Sequence, residues 1–438
     1  PRMPGIILAI GWFALLLWLL RRMRLLRLAP GLSPNMVGWL FALKALAGTA
    51  VWAVYTYAYP DRGTADIFKY FDDSRVMHEA LWTRPGDYLR MLFDIGNDTP
   101  WFTDTYYSRM NHWVRRWESG LHNDAHTMIR FNAVLRLVSF GHYHVHTVFA
   151  AAISTWGSLA FYRALSARTH ELKRGLLFSV FLWPSVLFWS SGVLKECLLM
   201  AGLGYLLFAT IGAWRSEARW LRPIVMVVCI ALLLQVKVYV LFCLIPPMIA
   251  FQWCRWRPEH TIAKYSAVLV AVIGGAMLVG AFVPRADVLY ILAMKQQDFV
   301  GLTREVPTGS AVVLPVLEPR LISFIANAPH ALVNAFLSPY KVLDQGPLAW
   351  MGALESLLLV GVPLLALWIR RPWRIMDAPA LFFALSFILL LALLIGWTVP
   401  VVGALVRYRV PMLPFVGWLA CLIVDPERLP NSIRKLLN

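Results

Sequence analysis

Two charged residues, Lys195 and Glu196, interrupt an otherwise uncharged run of about forty residues from Gly175 to Trp214. Ionisable groups in such a run are expensive to bury and mark candidate functional sites. A second charged point, Lys237, sits between two apolar stretches with Gln235 and Tyr239 beside it. A third, Arg407-Tyr408-Arg409, precedes the last apolar run. The segment SPYKVLDQ adds Tyr340, Lys341 and Asp344, and Ser190 and Ser191 lie just before Lys195. Convergent cations with tyrosine and serine donors suit a phosphate or pyrophosphate. Taken singly, each cation is equally a snorkelling residue at the end of a span. Glu196 works against anion binding, so it is expected to pair with Lys195 and orient it.

Acids supply the second kind of chemistry. Asp66, Asp72 and Asp73 follow the second apolar run in DIFKYFDDS. A carboxylate there can act as a general base toward a hydroxyl, or as a ligand for a divalent cation such as Mg2+ or Mn2+. The plain alternative is that Asp61, Asp66 and Asp73 cap turns and helix starts. His142, His144 and His146 alternate in GHYHVH, where on a helix only His142 and His146 share a face. That segment reads better as an amphipathic interfacial stretch, so no metal site is assigned. Asp298, in QQDF, is a weaker candidate for touching an acceptor.

The elements that must hold these residues are membrane helices. The chain has 438 residues, 59% hydrophobic and only 15% charged. Soluble domains average about 25% charged. A net charge of +17 would point to nucleic acid in a soluble protein. Here the basic residues fall in short turns between apolar runs, which is the positive-inside pattern and excludes a nucleic-acid partner. The five cysteines lie in or beside apolar runs, so neither a disulfide framework nor a thiolate metal site is expected.

The expected class is all-α: one polytopic membrane domain over 1–438, with about 11 transmembrane helices. The runs lie near 5–20, 36–58, 145–165, 175–192, 197–214, 223–236, 239–253, 265–283, 347–369, 379–397 and 410–424. The first is followed by RRMRLLR and reads as a retained span. Arg/Lys-rich turns at 21–27, 168–174, 215–222, 255–264, 370–374 and 428–435 are assigned to the cytoplasm. The loops 59–144 and 284–345 then face outward, as do the turns 190–196, 236–238 and 398–409, while residues 425–438 form a cytoplasmic tail. In the first outer loop, DYLRMLFDI and SRMNHWVRRWESGL carry apolar residues at helical spacing. They predict amphipathic helices on the membrane surface, in preference to a small globular outer domain.

Three segments resemble one family. PSVLFWSSGVLKE, VRYRVPMLPF and the early DIFKYFDDS are similar to recurring elements of the polytopic GT-C membrane glycosyltransferases, which use polyprenyl-phosphate-linked sugars. The likeness covers scattered motifs over most of the chain. It implies that one of Asp66, Asp72 or Asp73 is the base or acceptor-orienting acid. It also implies that Lys195, Arg407 and Lys237 hold the lipid phosphate; the charge and sidedness of the outer turns add Glu196, Tyr239, Lys341, Tyr408 and Arg409 to the same donor region. The expected function is transfer of a sugar from a polyprenyl-phosphate donor to a lipid, glycan or protein hydroxyl. The expected place is the periplasmic face of a bacterial inner membrane, with membrane lipids as the other partner. An O-antigen-type polysaccharide polymerase, a lipid-linked-sugar flippase and an assembly scaffold are the rivals.

Overall fold

In the computed structural model, residues 3–23, 31–58, 61–114, 123–169, 171–212, 219–305, 310–339 and 347–437 are described. In chain order the helices are α1 (Met3–Arg22), α2 (Pro34–Tyr57), α3 (Asp66–Thr83), α4 (Pro85–Phe93), α5 (Pro100–Thr105) and α6 (Ala125–Ser139). They continue as α7 (Tyr143–Ser166), α8 (Lys173–Phe181), α9 (Pro184–Trp189), α10 (Lys195–Ile211), α11 (Leu221–Trp256), α12 (Thr261–Phe282) and α13 (Val288–Glu305). The last are α14 (Leu321–Leu337), α15 (Pro347–Trp368), α16 (Ala378–Thr398), α17 (Val402–Tyr408), α18 (Leu413–Ile423) and α19 (Asn431–Leu437). Among the described residues β pairing is confined to two isolated bridges, Ala311–Val401 and Arg370–Val424. The all-α expectation therefore holds.

Among the described residues six helices (α1, α2, α11, α12, α15 and α16) are long and apolar enough to cross a membrane. The count is seven if α17 and α18, bent by 54°, form one broken span. These helices are the mark of a membrane protein, but they are fewer than the eleven or so spans expected. The run at 175–192 is not one helix: it breaks into α8 and α9 around Leu182–Trp183, where Pro184 disfavours helical geometry in the residue before it. The runs 223–236 and 239–253 lie on the single helix α11, in which Lys237 alone leaves helical geometry (φ −154°, ψ 80°). The expected turn is thus one residue long. At 17 residues α10 is short. α7 is long enough, but buried Ser154, Thr155 and Ser158 make its interior polar.

The chain divides into two compact units. The first comprises Pro1–Arg163, Leu187–Ala209 and Trp214–Val238; the second comprises Ala164–Val186, Thr210–Ala213 and Tyr239–Asn438. Within the first unit α7 and α10 touch backbone to backbone: a methyl at Gly157 or Gly204 would overlap the facing helix. Gly48 of α2 similarly lies against the Ser191 carbonyl. All five cysteines are buried and free.

The segment expected to be the first outer loop folds, over its described residues 61–114 and 123–139, into a packed helical layer. α3 buries Ile67, Phe68, Phe71 and Met77 at helical spacing. α6 is fastened to it by Arg136, which donates from Nε to Ser74 Oγ (2.8 Å) and from Nη2 to the Phe71 carbonyl (2.6 Å). Burial lowers the Arg136 pKa to about 10, so it stays charged. α4 forms as expected from DYLRMLF, started by Pro85 at its first position and ended by Asp94 in the left-handed region. It buries Tyr88 and Met91, so it is part of this layer. The segment SRMNHW is not an amphipathic helix. After a single 3-10 turn at Tyr107–Arg109, the Asn111 and His112 amides donate to Asp73, and a helix would have used those amides internally. Residues 115–122 of that stretch lie outside the described residues.

Candidate functional site

The site grows from the start of α10. Lys195 and Glu196 occupy its first turn, where an acid is favoured by the helix dipole. Glu196 does not pair with Lys195, contrary to expectation. Its Oε1 is 2.9 Å from Lys237 Nζ, with both side chains buried. Lys237 reaches it because α11 breaks at that residue. Near the break, Thr127 of α6 donates its hydroxyl to the Gln235 carbonyl (3.1 Å). A buried charge pair of this kind survives only with close geometry, which the one-residue break supplies.

Lys195 instead meets Asp124, with Nζ 2.8 Å from Oδ1. The lysine side chain is 9% exposed and the aspartate 31%, so this pair has one accessible edge while Lys237–Glu196 has none. The Lys195 ammonium also lies 5.3 Å from the centre of the Tyr70 ring, and Tyr70 faces His112 at 5.7 Å. Asp124 is placed by its neighbours. Asn123 donates to the His112 and Trp113 carbonyls (3.1 and 2.9 Å) and accepts from Ala125 N at the start of α6. His126 stacks on Trp113 at 4.0 Å, and Trp113 on Tyr107 at 4.6 Å. A four-residue stretch is thereby pinned to the aromatic loop, with the Asp124 carboxylate turned to Lys195.

The three acids of DIFKYFDDS divide differently from expectation. Asp73 is buried and accepts from Asn111 N (2.8 Å) and His112 N (2.7 Å), one bond on each oxygen. Burial pushes its pKa up, against the pull of those two amides. It is a loop fastener with no free edge for a substrate. Asp72 is exposed and held by a two-pronged Arg62 contact (3.0 and 2.8 Å). Asp66 lies half-buried in the first turn of α3.

Other expected donors are spoken for. Ser190 accepts from Lys44 Nζ (2.8 Å) and from Ser154 Oγ (2.9 Å), and Lys44 also reaches Ser154 (2.7 Å). All three are fully buried. The Ser191 hydroxyl donates to the Leu187 carbonyl. His146 is buried between Ser139 and Asn132 at 2.7 Å each, while the His144 ring meets Trp52 at 4.7 Å. The three histidines therefore do not converge. Among the described residues no three His, Cys, Asp or Glu side chains form a metal-binding group. Asp124 and Glu196 each face a lysine, a donor set that does not fit Mg2+ or Mn2+.

The second unit holds the remaining candidates. Arg409 was expected among the donor-binding cations, but it is fully buried. It donates to Ser356 Oγ (2.9 Å) and to the Ser338 and Asn334 carbonyls (2.6 and 3.3 Å), which makes it a structural clamp. Tyr239 and Tyr408 face each other at 5.7 Å, and Arg407 is half-buried beside Tyr408. Tyr340, Lys341 and Asp344 lie outside the described residues. Near Asp298, Gln296 is buried and bonded to the Pro315 and Trp397 carbonyls.

Sequence reasoning passed over two residues. Lys44, alone in the apolar stretch WLFALKALAG, carried the same intramembrane signal as Lys195. Asp124 gave none, because an acid in a polar loop is ordinary. No protein-family model, curated protein or solved structure matches this chain.

Proposed function

We propose that this chain is a membrane glycosyltransferase that moves a sugar from a polyprenyl-phosphate donor to a hydroxyl of a lipid, glycan or protein. The setting in this reading is the periplasmic face of a bacterial inner membrane. One observation carries it. At the head of an apolar helix, a carboxylate with an accessible edge, Asp124, stands 2.8 Å from a lysine that is otherwise enclosed. A base and a phosphate-stabilising cation are the two groups such a transfer needs, and the motif likeness of PSVLFWSSGVLKE covers this same turn.

In this mechanism Asp124 takes the proton of the acceptor hydroxyl. The acceptor oxygen bonds to the anomeric carbon as the carbon–oxygen bond to the lipid phosphate breaks. The electron pair leaves with the phosphate, where Lys195 and the positive end of α10 stabilise the developing charge. Lys237–Glu196, buried behind, fixes the start of α10. Asp124 replaces Asp66, Asp72 and Asp73 as the proposed base, and no step is routed through a metal.

Proteoliposomes supplied with labelled polyprenyl-phosphate sugars and an envelope lipid extract test the reading by mass spectrometry of new glycosylated products. Transfer by the wild type, lost in Asp124→Asn and Lys195→Met without loss of folding, is the expected result. Full transfer in both variants sinks the assignment.

A second reading, transport of a lipid-linked sugar, is favoured by the break of α11 at a buried ion pair, since broken helices beside charges are a transporter device. Movement of labelled lipid across the bilayer without new bonds separates it from transfer.

A further inference from the structure

α4 is apolar on both sides. Tyr88 and Met91 face the helical layer, while Leu89 and Phe93 are 50% and 64% exposed and Ile95, just beyond the helix, is 66% exposed. Trp101 of α5 is also exposed, with the Arg84 guanidinium 4.8 Å from the centre of its ring. A contiguous apolar face of this kind marks an interaction surface.

Three features select a lipid surface as the occupant. The first is composition: tryptophan and arginine beside leucine and phenylalanine are the residues of the headgroup–acyl boundary. The acids of the helix are already engaged, Asp87 by the Tyr106 hydroxyl and Asp94 by Arg130. The second is tethering. α3 begins soon after α2 ends at Tyr57, and α7 begins at Tyr143, shortly after α6 ends at Ser139, so the layer is held on short leads beside an apolar span. The third is continuity. Arg130 joins α6 to the end of α4, through the Met91 carbonyl (2.8 Å) and Asp94. From Arg130, exposed Val134 and Leu137 follow at helical spacing along α6 toward α7. Exposed apolar side chains thus lie on both helices that Arg130 joins.

We propose that this face, centred on Leu89, Phe93 and Ile95, rests in the headgroup–acyl boundary of the bilayer that holds α2, as an in-plane contact in addition to the spans. It stands whether or not the chain transfers sugars.

The test uses the full chain in nanodiscs, with a fluorophore on Phe93→Cys and, independently, on Leu89→Cys; the unlabelled background is set by the wild type with its buried cysteines. Emission is quenched at least twofold by lipids brominated near the top of the acyl chain, and iodide in the water quenches it at least twofold less than it quenches a free labelled peptide. Quenching by iodide equal to that of the peptide overturns the proposal. Protection from both quenchers in both variants also overturns it, and assigns the face to a protein partner.

Discussion

Lys195 and Arg409 are both cations at the ends of apolar runs, and in sequence they look alike. In the first unit, Lys195 meets a carboxylate partner with an accessible edge. In the second, Arg409 is spread over a hydroxyl and two carbonyls with no exposure at all. A charge–charge contact that water can reach is exchangeable for another anion. A fully buried guanidinium held by a hydroxyl and two carbonyls from two helices has much to lose by moving. The same contrast recurs inside the first unit, between Lys195–Asp124 and the sealed Lys237–Glu196. Partner and exposure, more than charge, separate a working cation from a fastener.

The comparison breaks most visibly at Lys237–Glu196. Removing one partner alone, as in Lys237→Met, strands a buried charge and lowers stability by about 3–5 kcal/mol, while the double variant Lys237→Met with Glu196→Gln recovers most of that. Thermal unfolding in detergent reads both, and equal losses in single and double variants would falsify the pairing. Next, on the proposed function Asp124→Asn is expected to cut sugar transfer about 100-fold while costing only about 1 kcal/mol in the same unfolding assay. A larger stability loss without a rate effect would make Asp124 another fastener. Arg409→Gln is expected to lose about 2 kcal/mol of stability, and on the proposed function the fraction that stays folded keeps the wild-type transfer rate per molecule.

Asp73 sharpens the picture through pH. Its native pKa is raised above the ordinary 3.8 by burial, so the native state holds its proton more tightly than the unfolded chain. Its contribution to stability therefore falls as pH rises from 3.8 to the native value and is flat above it. The stability difference between wild type and Asp73→Asn is expected to be greatest near pH 3 and to shrink with rising pH, measured by denaturant unfolding. The smallest effect is that of Asp72→Asn: the exposed Arg62 pair is worth under about 1 kcal/mol, and the proposed transfer is expected to be unchanged. A collapse of transfer there returns the base to Asp72.

Long apolar runs made α1, α2, α12, α15 and α16 legible in the sequence, because burial in lipid demands both length and apolarity. The breaks were less legible. Trp183-Pro184 carries a local steric signal, but nothing local says that Lys237 leaves helical geometry; the break accompanies a pairing with Glu196, 41 positions earlier. Lys195, Glu196 and Lys237 stood out as candidates because charge is rare where they lie. Their partners did not, since pairing across α6, α10 and α11 is a property of packing. Asp72 and Asp73 looked equivalent side by side, yet adjacent helical positions point about 100° apart, one into the layer and one to water.

The sealed lysine of α2 bears on how the chain is made. Lys44 emerges from the ribosome and enters the membrane long before its two hydrogen-bond partners, Ser154 and Ser190, which lie 110 and 146 residues downstream. A lysine near the centre of a lone helix penalises insertion by about 3 kcal/mol. α2 is therefore a reluctant span on first synthesis, held by its apolar neighbours until α7 and the turn before α10 arrive to solvate the ammonium. A chain that ends before Ser154 lacks both partners of the Lys44 ammonium.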